Sequence, residues 1–141
     1  VVTANDVSSI PPELINRFEL IFFVDLPDEA ACNEIVDIHL ARRGLSLDEK
    51  TRQEIARLAH ERKLNGREIE RAVKSARRRN FTTGEDLGQA LRNAIQNLVG
   101  IAENQPERIE AIRNWGRKHA LPASERQEAS AVRPQEATLL L

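Results

Sequence analysis

From Asp28 to Leu98 the chain follows one pattern: apolar residues at a 3.6-residue period, stopped by a turn residue and restarted after a short polar link. Cys32, Ile35, Val36, His39 and Leu40 fall at i, i+3, i+4, i+7 and i+8, which is one stripe of a helix. Asp28 is placed to cap that helix and Glu29 to sit in its first turn, and Arg42-Arg43-Gly44 closes it with positive charge followed by glycine. Ser46 and Glu49 form a Ser-x-x-Glu capping box for a second helix, which buries Ile55, Leu58 and Ala59. Asn65-Gly66 is the expected break before a third helix, from about Arg67 to Asn80, with Ile69, Ala72, Val73 and Ala76 inward. Thr83 and Asp86 make a similar cap for a fourth, carrying Leu87, Ala90, Leu91, Ala94, Ile95 and Leu98, and Gly100 ends the series. Four amphipathic helices on short linkers have to bury their stripes against one another. The fold class is mainly α, a small antiparallel bundle.

The flanks read differently. Leu20 to Val24 are five apolar residues without alternation, the pattern of a strand buried on both faces of a parallel sheet. Ahead of it, Val1-Val2-Thr3 reads as a strand end that delivers Asn5. Pro11-Pro12 opens a short helix that stops at Asn16, with Arg17 projecting at its end. On the far side, Pro106 starts a fifth helix with Ile109, Ile112 and Trp115 or Gly116 on one side. Trp115, the only tryptophan, is expected to dock this helix on the bundle or on a neighbouring subunit. Beyond Leu121-Pro122 the composition shifts to Ala, Ser, Glu, Gln and Arg without a period, which predicts a disordered tail.

With 4% aromatic residues in a 40% hydrophobic chain, the core must be aliphatic. Charged residues at 30% and a net charge of -1 fit a highly helical chain rather than a charged tail. No apolar run reaches the length of a membrane span and no signal peptide is visible, so bacterial cytosol or plastid stroma is the expected compartment, with no membrane partner. A single cysteine, Cys32, rules out an internal disulfide and a cysteine-based zinc site, and reads as a small buried hydrophobe. His39 has no second ligand one turn away and reads as a packed or half-exposed structural histidine. The chain contains no methionine and begins at Val1, so it is read as the C-terminal part of a longer polypeptide or a truncated gene product.

Thr3-Ala4-Asn5 resembles the sensor 1 of AAA+ ATPases, and Leu14-Ile15-Asn16-Arg17-Phe18-Glu19 resembles their arginine-finger box. Asn65-Gly66-Arg67-Glu68-Ile69 is similar to the sensor 2 motif that opens the third lid helix. The phrases Ile21 to Glu29, Ile38-His39-Leu40 and Ile109 to Trp115 are similar to a cyanobacterial and chloroplast-encoded branch of that family. The resemblance covers roughly Val1 to Ser124. It implies the last strands of an αβα core over 1–27, a helical lid over 28–100, an appended helix over 101–120 and a tail over 121–141.

The resemblance also implies a chemistry: hydrolysis of ATP with Mg2+ in a homo-oligomeric ring, a hexamer, coupled to remodelling of a macromolecular substrate. Asn5 would orient the attacking water and contact the γ-phosphate. Arg17 would reach across a subunit boundary and stabilise charge that develops in the transition state; loss of such an arginine costs on the order of 10³–10⁵ in rate. Arg67 and Gly66 would meet the nucleotide at a helix N-terminus. Only Arg17 is present where many relatives carry two arginines. No G-x-x-x-x-G-K-[ST] occurs in the chain. Ile21 to Asp25 imitates a Walker B strand, but Leu26 stands where its glutamate belongs and the strand follows sensor 1. The ligands for Mg2+ and the phosphate loop are therefore expected upstream, and the chain alone is expected to be inactive. The rival reading is a non-enzymatic helical module that contacts nucleic acid through the basic helix from Arg67 to Arg79. Arg67, Arg71, Lys74 and Arg78 share a face there, with Arg77 and Arg79 beside them. A solvated face explains the same run, and no aromatic residues interleave with it.

Overall fold

The computed structural model describes residues 2–4, 6–7 and 10–123. It is mainly α, in the order α1 (Pro12–Ile15), β1 (Phe22–Phe23), α2 (Glu29–Ala41), α3 (Glu49–Glu61), α4 (Gly66–Thr83), α5 (Leu87–Gln96), α6 (Ile101–Asn104), α7 (Pro106–His119) and β2 (Leu121–Pro122). The described residues form two compact units, one from 26–105 and one that joins those up to 25 to those from 106 to 123.

In the larger unit α2 packs on α3 and α4, and α5 packs on α3 and α4. The periodic stripes supply the core: Cys32, Val36 and Leu40 share one buried cluster with Ile55 and Ala59, with Ile69, Val73 and Ala76, and with Leu91 and Ile95. No aromatic side chain is buried among the described residues, as the composition requires. Complete burial of an aliphatic side chain contributes about 1.5–3 kcal/mol, so this cluster is what holds four short helices that would be marginal alone. Cys32 is free and buried, and burial followed by the nearby Asp28 and Glu29 pushes its thiol up to about 11. His39 is half-buried, and burial lowers its pKa.

Helix ends follow local chemistry, in places from other residues than the sequence pattern picks. Asp28 caps α2 by accepting the Ala31 N–H at 2.7 Å. Gly44, at φ +64°, closes α2, with the Leu45 N–H donating to Leu40 O at 3.0 Å. The cap of α3 is Asp48, whose carboxylate accepts the Thr51 N–H at 2.9 Å, and not Ser46. A carboxylate adjacent to the first turn binds the free N–H groups and favours the helix dipole more than a hydroxyl two residues earlier can. Asp86 alone caps α5, through the Gln89 N–H at 3.0 Å. Thr83 belongs instead to the last turn of α4, where its hydroxyl donates to Arg79 O at 2.8 Å. The break before α4 is at Lys63, the one described non-glycine residue with positive φ (52°), and Asn65 already begins the next helix. After Gly100 a short turn of helix, α6, continues the unit; the periodic pattern does not announce it.

In the smaller unit β1 and β2 pair in parallel, Phe22 opposite Leu121 and Phe23 opposite Pro122. The parallel direction expected of this strand is therefore present, but the strand is two residues long. Leu20, Phe22 and Val24, on alternate positions, are 52%, 60% and 77% exposed, so one of its faces is open rather than buried. β2 lies where the sequence places the start of the tail; residues 124–141 are outside the described ones. Helix α7 packs with this strand pair. Gly116 is buried beneath the Phe23 ring, where an added Cβ would come within 2.7 Å of Phe23 Cγ. The Arg113 Nε–H donates to both carboxylate oxygens of Asp25 at 2.9 and 3.0 Å. These contacts join residues that the linear division into 1–27 and 101–120 keeps apart. Trp115 is half-buried and faces His119 of its own helix, ring centroids 5.2 Å apart.

Candidate functional site

The first turn of α4 is fixed from three directions. Asn65 Oδ1 accepts the Glu68 N–H at 3.0 Å, and Glu68 Oε2 accepts the Asn65 N–H at 2.8 Å, a complete capping box. The other Glu68 oxygen accepts the Ile101 N–H at 2.7 Å, which ties the start of α6 to the same carboxylate. Glu68 is 4% exposed, the one buried charged residue among those described. Gly100 fits against Leu64 and Glu68, where an added Cβ would lie 3.1 Å from Leu64 Cδ2 and 3.6 Å from Glu68 Oε2. Ile69 enters the core. Asn65, Glu68 and Ile69 therefore all serve the fold.

Arg67 does not. It is exposed and makes no ion pair or hydrogen bond among the described residues. A cation at this end of a helix lies against the positive end of the dipole, an unfavourable place that a bound anion would reverse. The amides of Gly66 and Arg67 also have no acceptor among the described residues. Two free N–H groups and a guanidinium on a braced helix end are what a phosphate oxygen requires. Gly66 is not demanded by the fold: a Cβ there would meet only Ile35 Cδ1, at 3.9 Å.

Arg17 follows α1, whose first residue is Pro12 and whose cap, Pro11, has no side-chain bond. The Arg17 N–H donates to Leu14 O at 3.1 Å, and its exposed side chain has no ion-pair partner among the described residues. Arg17 belongs to the smaller unit and Arg67 and Gly66 to the larger. Asn5 lies outside the described residues. Asp25, the acid of the Walker B imitation, is engaged by Arg113. Among the described residues no group of three His, Cys, Asp or Glu side chains could hold a metal ion.

The basic run on α4 is divided by the structure. Glu70 Oε1 binds Lys74 Nζ at 2.9 Å and Arg43 Nη2 at 2.9 Å, and Arg79 pairs with Glu85 at 2.9 Å. Arg43 also donates to His39 O at 2.8 Å, so it fastens the end of α2 to α4. The Lys74 hydrogen bond and then that of Arg43 hold the Glu70 carboxyl down at about 2. Beside this bracket lies a groove of about 640 Å³ lined by Arg42, Arg77, Arg78 and Phe81 as well. Sequence reading passes over Phe81 and gives Arg42 only the role of closing a helix. A helix taken to end at Asn80 leaves Phe81 off the basic face, whereas a helix through Thr83 puts it four residues after Arg77 on the same side.

The uncharacterized AAA domain-containing protein ycf46 of Pyropia yezoensis is 31% identical to this chain over 119 residues, 82% of the chain and 24% of the relative. Its counterpart in Gracilaria tenuistipitata var. liui is 35% identical over 119 residues, again 82% of the chain and 24% of the relative. The one in Guillardia theta is 31% identical over 124 residues, 82% of the chain and 23% of the relative. The chain belongs to the AAA domain-containing proteins. Within them it groups with the plastid-encoded ycf46 branch, and it spans about a quarter of the length of those relatives. No protein-family model and no solved structure matches it. No helix among the described residues is long and apolar enough to cross a membrane.

Proposed function

We propose that residues 26–105 act as the lid of an AAA+ ATPase and that the chain contributes two arginines to nucleotide handling. The observation that carries this reading is Arg67, a cation that, with the two amides beside it, has no partner among the described residues, at an end of α4 that the fold braces from three directions. Arg67 and Gly66 contact the phosphates of ATP held by the same subunit. Arg17 reaches the γ-phosphate of ATP held by the neighbour in a homo-oligomeric ring, a hexamer, and stabilises the transition state. Asn5 orients the attacking water. The ligands of Mg2+ and the phosphate loop are assigned to another part of the assembly, in keeping with the sequence, which holds no phosphate-loop motif. Hydrolysis drives lid movement and the remodelling of a macromolecule in the cytosol or stroma.

The test uses a polypeptide that joins this chain to a phosphate-loop core. Arg67→Ala is expected to weaken ATP binding by about tenfold, the equivalent of roughly 1.4 kcal/mol for a charge-assisted contact made in the ground state. Unchanged affinity, with the helical circular dichroism intact, would sink the lid assignment for Arg67.

A further inference from the structure

We propose that the groove between the C-terminal end of α2 and the stretch of α4 from Glu70 to Phe81 binds single-stranded nucleic acid, its phosphates on Arg42, Arg77 and Arg78 and a base stacked on Phe81. Neither Gly66 nor Arg67 lines the groove, so this inference is independent of the nucleotide-sensing role.

Five cationic side chains and a single carboxylate line the groove. That carboxylate, Glu70, is spent on Arg43 and Lys74. Arg42, Arg77 and Arg78 are exposed and have no ion-pair partner among the described residues. Three uncompensated guanidiniums neutralise phosphates of a nucleic-acid strand and release the cations condensed on it. Arg42 comes from the C-terminal cap of α2, so the charges are drawn from two elements rather than from a single stripe of α4.

Phe81 decides the class of ligand. It is 90% exposed, the most exposed large hydrophobic side chain among those described, at the mouth of the basic groove. A solvated phenyl ring contributes nothing to the aliphatic core. Next to arginines it offers a stacking surface for a base, which is sequence-tolerant because every base has a π-face. A duplex keeps its bases stacked inside and could use the arginines alone. An acidic peptide would likewise satisfy the arginines and leave the ring idle.

The experiment is a fluorescence-anisotropy titration of the full chain against a short labelled oligothymidine, repeated from about 50 to 200 mM salt. Saturable binding is expected, with log K falling against log salt at a slope of about −2, the value for three phosphate contacts on a single strand. Phe81→Ala should weaken binding by about tenfold with unchanged circular dichroism, because the ring is outside the core. Arg77→Gln with Arg78→Gln should weaken binding and flatten the slope. Absence of saturable binding at the lowest salt overturns the proposal. Equal affinity for Phe81→Ala and the natural chain overturns it as well, and so does equally tight binding of an oligoglutamate of the same length.

Discussion

Asn65 and Glu68 cap each other: the side chain of each accepts the backbone N–H of the other, at 3.0 and 2.8 Å. The motif that could be taken as a nucleotide sensor is thus largely a device for starting a helix, and Arg67 is the residue it leaves over. Glu68→Ala removes the partners of the Asn65 and Ile101 amides together, and is expected to lower the stability of the bundle by about 1–3 kcal/mol. Arg67→Ala should leave it within about 0.5 kcal/mol, as for an exposed residue without contacts. Urea titrations of the two variants followed by circular dichroism compare them directly; equal losses would mean that Arg67 has a structural partner.

Gly116 and Phe23 set the packing of α7. A methyl group at 116 would lie 2.7–3.0 Å from the Phe23 ring, so the ring or the helix must move. Gly116→Ala is expected to cost about 1–3 kcal/mol of local stability despite the higher helix propensity of alanine. Hydrogen exchange should show the loss in Pro106–His119, with the amides of α2 to α5 unchanged. Unaltered protection of α7 would mean that the ring yields freely.

The bracket at Glu70 has a pH signature. Its carboxyl is lowered from 4.5 to about 2, first by the Lys74 hydrogen bond and then by that of Arg43. A lowered folded-state pKa means that its contribution is complete above about pH 4.5 and is lost as the pH falls toward 2. The melting temperature of the natural chain should exceed that of Glu70→Gln at neutral pH, and the gap should shrink over this acid window. A gap that is constant down to pH 2 would mean that the ionised carboxylate is not what joins α2 to α4.

Much of this fold is legible along the chain, because the signals are local. The stripe from Cys32 to Leu40 and the inward set from Ile69 to Ala76 are each read within one helix, and their burial follows from period alone. Caps are local too, but Ser46 and Asp48 compete within three residues, and only the direction of the Thr51 amide decides between them. The pairing of Phe22 with Leu121 has no local mark, since Leu121-Pro122 carries neither alternation nor a β-branched run. The candidate site divides the same way. Arg17 and Arg67 are visible as residues in motifs, whereas the groove needs Arg42 from one helix beside Phe81 from another, which only packing brings together.

The central claim is that Arg17 acts on nucleotide held by a neighbouring subunit, and a mixing experiment tests it most directly. In a polypeptide that joins this chain to a phosphate-loop core, Arg17→Ala should leave nucleotide affinity nearly unchanged and reduce turnover on the order of 10³-fold or more. Arg17→Ala subunits titrated with subunits mutated in the phosphate loop should recover ATPase activity, because an intact loop can then meet an intact arginine at mixed interfaces. If Arg17→Ala subunits lose nucleotide affinity and no ratio of the two restores turnover, the arginine does not act across the interface.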